Sequence, residues 1–211
     1  MPITLAELLD SRDKRVEHQK DLLGANPGKS LLCLTVQLPG PEKRNDTSLK
    51  IANAGVEAVR KAFVPVCEEL RDLETGYEAY FLVDLPPKEA KRRTCQIEDT
   101  HPLGRLMDID VLYQPVSTFP PVSGNYFSGR YPKNQFPETF TNPTHTEEFP
   151  TTSTKPAHVE VMPVGRTEIG LEARRCLLCG NEVRYCMRAK SHTVSELLAR
   201  IEEMVKECSD C

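Results

Sequence analysis

From Gln114 to about Val164 the chain is dense in Pro, Thr, Ser and Asn, as in "QPVSTFPPVSGNYFSGRYPKNQF" and "PTTSTKPAHVEVMP". Proline has no backbone N–H and clashes with the preceding helical turn, so no long helix can form there. In sheets it is restricted to edges and bulges. The scattered aromatics are too many for a plain linker, and the stretch is expected to be an excursion, a hairpin or lid, packing partly on the rest. A core must therefore come from the flanking segments, 1–113 and 165–211. A total of 211 residues is long enough for one sizeable domain with a real core, or for one domain with an appendage.

The first segment alternates helical and strand patterns. "TLAELLDSRDKRVEHQKDLLGANPG" opens with Thr4 and Glu7 as a capping box and carries a partial stripe of Leu5, Leu8, Leu9, Arg12 and Val16. Gly24, Pro27 and Gly28 stop it. "SLLCLTVQL" reads as a buried strand, closed by the turn "PGPEKRND". "SLKIANAGVEAVRKAFVPVCEELRD" reads as a second helical stretch, kinked or split at Pro65. "GYEAYFLVDLP" is a second strand, "PKEAKRRTCQIEDTH" a third helix with Pro87 in its first turn, and "HPLGRLMDIDVLY" a third strand. This order predicts an α/β or α+β catalytic core over 1–113, a mixed sheet flanked by helices. The segment 165–211 is Cys-rich and ends in a helix packing on the core, capped by Thr193 or Ser195, with Leu197, Leu198, Ile201, Met204 and Val205 on one face. No internal repeat is present.

Strand interiors are poor in Asp, yet "MDIDVLY" places two there. Side chains alternate along a strand, so Asp108 and Asp110 project together, away from Met107, Ile109 and Val111. Two carboxylates about 7 Å apart at Cα suit a hard divalent cation such as magnesium, which completes its shell with water and substrate phosphate. The same pair would otherwise be a solvated decoration of an exposed sheet face. Cations recur at neighbouring loop and helix positions: Lys43 and Arg44 after the first strand, Lys91, Arg92 and Arg93 on the third helix, and Arg105 at the entry of the Asp strand. Together they favour an anionic, phosphate-bearing ligand. Glu98 and His101 lie in the same connection as candidates to assist, and Glu98 or Asp84 is the best candidate for a third carboxylate.

Eight cysteines are many for a chain that is too long for a disulfide-stapled secreted domain. Cys33 and Cys67 sit in apolar segments and are expected to be buried small hydrophobes. Cys176, Cys179, Cys186 and His192 have the spacing of a structural Cys3His zinc site, with Gly180 for a tight turn; Cys208 and Cys211 offer an alternative second half. A reduced thiol cluster without metal is the other reading. The surrounding segment is basic, Arg174, Arg175, Arg184, Arg188 and Lys190 against Glu182, which suits an acidic partner or a polyphosphate.

A net charge of −4 argues against a general nucleic-acid binder. No apolar run approaches the roughly 20 residues of a membrane span, and the N-terminus lacks an apolar signal block. A cytoplasmic protein without membrane attachment is expected. The phosphate-binding "GxxxxGK[ST]", the dinucleotide-binding "GxGxxG" and the hydrolase elbow "GxSxG" do not occur.

In combination and order, "LPGPEKR", "AKRR…EDTHPLGRLMDIDV" and "RRCLLCG…C…H…ELL" resemble the holo-citrate lyase synthases, the apo-citrate lyase phosphoribosyl-dephospho-CoA transferases. The likeness runs through most of 1–113 and again from about Gly165 to Arg200. It implies a nucleotidyltransferase-like fold. The implied reaction moves phosphoribosyl-dephospho-CoA from its triphosphate precursor, triphosphoribosyl-dephospho-CoA, to a serine of the citrate lyase acyl carrier subunit, releasing pyrophosphate. It also implies that Asp108 and Asp110 bind magnesium and activate the serine, and that Lys43, Arg44, Lys91, Arg92 and Arg105 bind the triphosphate. The long 114–164 stretch departs from the family's short connection. Two alternatives stay open: the same transfer onto the malonate decarboxylase carrier, and a non-enzymatic, zinc-stabilised binding protein for an acidic partner.

Overall fold

The computed structural model describes residues 3–115 and 160–208. The hairpin or lid expected over 114–164 therefore lies, apart from its ends, outside the described residues. The first half of the chain folds as helix α1 (Leu5–Ala25), strand β1 (Ser30–Val36), helix α2 (Asp46–Ala62), strands β2 (Cys67–Leu73) and β3 (Gly76–Val83), and helix α3 (Pro87–Thr100). A short 3-10 turn, Gly104–Leu106, leads into β4 (Met107–Tyr113). After the excursion come β5 (Met162–Pro163), helix α4 (Val183–Ala189) and helix α5 (Val194–Glu207). The five strands form one antiparallel sheet in the order β2-β3-β1-β4-β5.

Alternation along the strands gives the sheet two chemically different faces. Leu32, Leu34, Ala79, Phe81, Val83, Met107, Ile109 and Val111 point to one side, where Ile51 and Val59 of α2, Ile97 of α3 and Ile201 and Met204 of α5 cover them. Each aliphatic side chain so buried contributes roughly 1.5–3 kcal/mol. The other face carries Leu31, Cys33, Tyr80, Leu82 and Leu112, packed against Leu23 of α1. The capping boxes at Thr4 and Thr193 form as their sequence signals require.

The sheet is wholly antiparallel where a mixed one was expected, and three local expectations are also corrected. Pro65 does not kink a long helix: α2 stops at Ala62, and "CEELRDL" is the edge strand β2, paired along its length with β3. Its Glu, Leu and Arg favour helix intrinsically, but the tight turn at Glu74 and Thr75, with Gly76 at φ 119°, folds the segment back onto β3. Cys67 is consequently exposed, whereas Cys33 is buried as expected. Helix α1 leaves Leu5, Leu9 and Val16 exposed and turns Ser11, Arg15, His18 and Gln19 partly inward instead.

Candidate functional site

The register brings the acidic residues of the α1-side face together. Asp108 stands opposite Thr35, which stands opposite Glu78; one row further along, Asp110, Cys33 and Tyr80 are aligned in the same way. Glu78 is thus two strand spacings from Asp108, about 10 Å. Helix α1 answers this surface with polar groups. Arg15 Nε donates to Glu78 Oε1 at 2.6 Å, and Tyr80 donates its hydroxyl proton to Glu78 Oε2 at 2.5 Å. His18 stands edge-on to Tyr80 at 4.8 Å and pairs with Glu69. Beyond α1, toward β4, the face is left open among the described residues, with Asp108 half-buried and Asp110 exposed.

The two aspartates are not equivalent. Asp108 accepts from Gln37 Nε2 at 2.9 Å and lies 3.3 Å from the Arg174 guanidinium. Asp110 has no hydrogen bond or ion pair among the described residues. Desolvation by the surrounding protein, then repulsion by Asp108, push its carboxyl above the ordinary range. Below it, burial raises the Cys33 thiol to about 12, so Cys33 is floor and not nucleophile.

Because β5 pairs only with the far end of β4, residues Met107 to Ile109 present an edge with no strand partner among the described residues. Long side chains complete it. Glu98 accepts from the Ile109 N–H at 2.9 Å, Lys91 donates to the Ile109 carbonyl at 3.0 Å, and Arg174 donates to the Met107 carbonyl at 3.1 Å. Glu98 also receives Arg174 and Arg166, and Arg166 reaches on to Asp99 at 2.8 Å. Burial raises the Glu98 carboxyl even so, against the pull of Arg174 and Lys91.

The cations named from the sequence take different places. Lys91 is buried against β4, and Arg105 donates to the carbonyl of Arg175, fastening the Cys-rich segment to the entry of β4. Lys43 and Arg44 follow β1, whose last residues pair with Met107 and Asp108. There Lys43 donates to the Leu38 carbonyl, and Arg44 forks onto Asp72 at 2.6 and 2.8 Å. Arg92 is exposed on α3. His101 turns away and lines a groove of about 560 Å³ between α2 and α3, on the opposite side of the sheet from the aspartates. Asp84 follows the end of β3 that pairs with Ser30, far from Asp108, and is bound to Lys29 at 3.0 Å. Sequence reasoning passed over Arg15 and Glu78 and left Arg174 unassigned to the Asp strand. The one available signal was a charged residue inside each of two otherwise apolar patterns, Glu78 in "GYEAYFLV" and Asp108 in "MDIDVLY".

The second constellation follows Arg174 directly. Ligand atoms of Cys176, Cys179, Cys186 and His192 all lie within 4.8 Å of one another, a set that could hold a metal ion. Cys179 Sγ is 3.4 Å from both Cys186 Sγ and His192 Nε2. Thiolates bound at about 2.3 Å to one tetrahedral ion stand roughly 3.7 Å apart, close to this spacing. The Cys179 thiol is drawn down to about 6 by the Asn181 backbone N–H, with His192 and Cys186 adding to it. Among the described residues no helix is long and apolar enough to cross a membrane.

Both constellations lie in segments that match known proteins. A family model described as apo-citrate lyase phosphoribosyl-dephospho-CoA transferase matches residues 3–119 and 157–208. It leaves out most of the Pro/Thr-rich stretch. The chain is 28% identical over 206 residues to the "probable apo-citrate lyase phosphoribosyl-dephospho-CoA transferase" of Streptococcus pyogenes serotype M3, covering 96% of this chain and 85% of that protein. It is likewise 28% identical over 214 residues to the apo-citrate lyase phosphoribosyl-dephospho-CoA transferase of Escherichia coli O1:K1, covering 99% and 92%. The protein of the same name from Shigella boydii serotype 18 is 27% identical over the same length.

Proposed function

This chain belongs to the apo-citrate lyase phosphoribosyl-dephospho-CoA transferase family, and from that premise we propose that it loads the prosthetic group onto a serine of the citrate lyase acyl carrier subunit by nucleotidyl transfer. The donor is triphosphoribosyl-dephospho-CoA. The serine oxygen forms a bond to the α-phosphorus, the bond from that phosphorus to the β-bridging oxygen breaks, and pyrophosphate leaves with the electron pair. The serine proton passes to the carboxylate pair, and a phosphodiester remains.

The observation that carries this reading is the open sheet face, where Asp108 and Asp110 share a side with Arg15 across the strands. Asp108 and Asp110 are the residues that would hold magnesium, because Asp110 has no hydrogen bond or ion pair among the described residues and desolvation, then the neighbouring Asp108 charge, raise its carboxyl. Bound there, the ion supplies charge neutralisation for the carboxylates and for the polyphosphate under attack. Arg15 and Arg174 flank the pair from α1 and from the Cys-rich segment and orient phosphate oxygens. Of the sequence-named cations, Arg92 has an exposed head, Lys43 and Arg44 would meet the donor by exchanging the Leu38 carbonyl and Asp72 for its phosphates, and Lys91 and Arg105 hold backbone carbonyls of Ile109 and Arg175. Zinc is the metal we assign to Cys176, Cys179, Cys186 and His192, in a structural role.

The test is intact mass of apo-carrier subunit after incubation with the protein, magnesium and the donor. A gain of one prosthetic group, abolished by Asp108→Asn, is expected. No gain on the citrate lyase carrier, with a gain on the malonate decarboxylase carrier, would move the assignment to that client.

A further inference from the structure

Helix α4 is held from beneath and bare on the outside. Only Cys186, a member of the Cys3His cluster, is buried in it. Tyr185 and Met187 are 62% and 71% exposed, and Leu178, on the preceding turn, is 36% exposed. Arg184, Arg188 and Lys190 surround them, exposed and without an ion pair among the described residues. From Cys176 to Ser191 these three cations face one carboxylate, Glu182, in a chain whose net charge is −4. Aromatic, methionine and arginine side chains presented together are the composition of protein-binding centres.

The face is not a floppy loop tip. The Cys176 N–H donates to the Asn181 carbonyl at 2.7 Å, closing the turn, and the Ser191 N–H donates to the Cys186 carbonyl at 3.1 Å, where Lys190 ends the helix at φ 48°. The Val183 N–H, at the first residue of α4, donates to the carbonyl of Arg174 at 2.9 Å. Arg174 is the residue whose guanidinium touches Asp108. One hydrogen bond therefore separates the base of this surface from the residue that reaches the carboxylate strand.

We propose that the exposed face formed by Leu178, Arg184, Tyr185, Met187, Arg188 and Lys190 docks the protein acceptor through an acidic surface with apolar side chains at its centre. The inference rests on the transferase reading and identifies where the acceptor is held. Charge complementarity selects an acidic partner. The apolar centre favours a protein over a bare polyphosphate, which gains nothing from Tyr185 or Met187; stacking of the donor's adenine on Tyr185 would show as a change in donor KM. The link through Arg174 brings the bound acceptor's serine toward Asp108 and Asp110, and steering by the cations speeds its arrival.

The test uses full-length protein carrying either Arg184→Glu with Arg188→Glu, or Tyr185→Ala with Met187→Ala. Each variant is assayed for the KM of apo-carrier subunit and of triphosphoribosyl-dephospho-CoA, and calorimetry measures apo-carrier binding without donor. Both variants should raise the carrier's KM and Kd about tenfold or more, with donor KM and melting temperature unchanged. The charge-reversal variant should also lose the salt dependence of carrier binding. An unchanged carrier KM and Kd in both variants would overturn the docking face while leaving the transferase intact. A rise confined to donor KM would reassign the face to the polyphosphate. Loss of a self-associated species from wild type, with carrier binding unaffected, would reassign it to a second copy of this chain. If wild type transfers nothing, the reaction falls, and calorimetry alone still decides whether this surface binds the carrier.

Discussion

The Arg174 guanidinium stands 3.3 Å from Asp108 Oδ1 while also engaging Glu98 and the carbonyl of Met107. One side chain from the Cys-rich segment thereby closes the edge of β4 left unpaired among the described residues and supplies a cation within ion-pair distance of Asp108. Truncation to Ala leaves Glu98, whose side chain is 2% exposed, with Arg166 and the Ile109 N–H, and leaves the Met107 carbonyl without its donor. Arg174→Ala should cost about 2–4 kcal/mol, read as a lower urea midpoint. Arg174→Lys keeps the charge and loses the fork, so it should recover part of the stability and little of the transfer rate. An Arg174→Ala protein as stable as wild type would contradict this account of the β4 edge.

Asp110 gives a dependence on pH with a definite sign. Desolvation and then Asp108 raise its carboxyl in the folded protein. The folded state therefore holds more protons than the unfolded one, and this residue's contribution favours folding at low pH and is lost as pH rises from about 4 upward. Asp110→Asn should abolish pyrophosphate release and yet melt at or above wild type near neutral pH, with the gap closing toward about pH 4. Magnesium should raise the wild-type melting temperature at neutral pH and leave the variant unmoved. Full activity in Asp110→Asn would remove the two-carboxylate mechanism.

What could be read from the sequence was what local periodicity encodes. Met107, Ile109 and Val111 alternating with Asp108 and Asp110 gave both the strand and the shared direction of the carboxylates, and the Cys3His spacing gave the cluster. Strand β2 was hidden because Glu68, Leu70 and Arg71 favour helix in isolation, and only pairing with β3 decides otherwise. The destinations of Lys91, Glu98 and Arg174 were hidden for a related reason. Which unpaired backbone group a long side chain reaches depends on how far β5 extends along β4, and that is a tertiary fact. Arg15 was passed over, because the polar surface it meets belongs to a strand more than sixty residues away.

The Cys cluster should behave as a structural element with a functional consequence. Zinc bound only by the folded state adds its binding free energy to folding. Chelation, or Cys176→Ser, should lower the melting temperature by about 5 °C or more and slow transfer, since Arg174 lies two residues from Cys176. Elemental analysis of the purified wild type should find one zinc per chain. Cys67→Ser, at an exposed thiol outside the cluster, is the control and should change neither. Equal melting temperatures for metal-free and zinc-loaded protein would count against the site.

Gly104 explains why a glycine precedes Arg105 at the entry of the Asp strand. A Cβ there would sit 2.5 Å from the Ile97 carbonyl oxygen and 2.6 Å from that of Glu98, both backbone atoms of α3 that cannot swing aside. The close approach lets the Gly104 N–H bond the His101 carbonyl at 2.8 Å and delivers the chain into β4. Gly104→Ala should therefore destabilise by about 2 kcal/mol or more. It should also weaken exchange protection at the Ile109 amide, because the displaced helix carries Glu98, that amide's partner. Gly180→Ala, where a Cβ meets nothing within 4 Å, should stay within about 0.5 kcal/mol of wild type. If Gly104→Ala matched Gly180→Ala in stability and in Ile109 protection, the packing of α3 against the entry of β4 would not be what holds the aspartates in place.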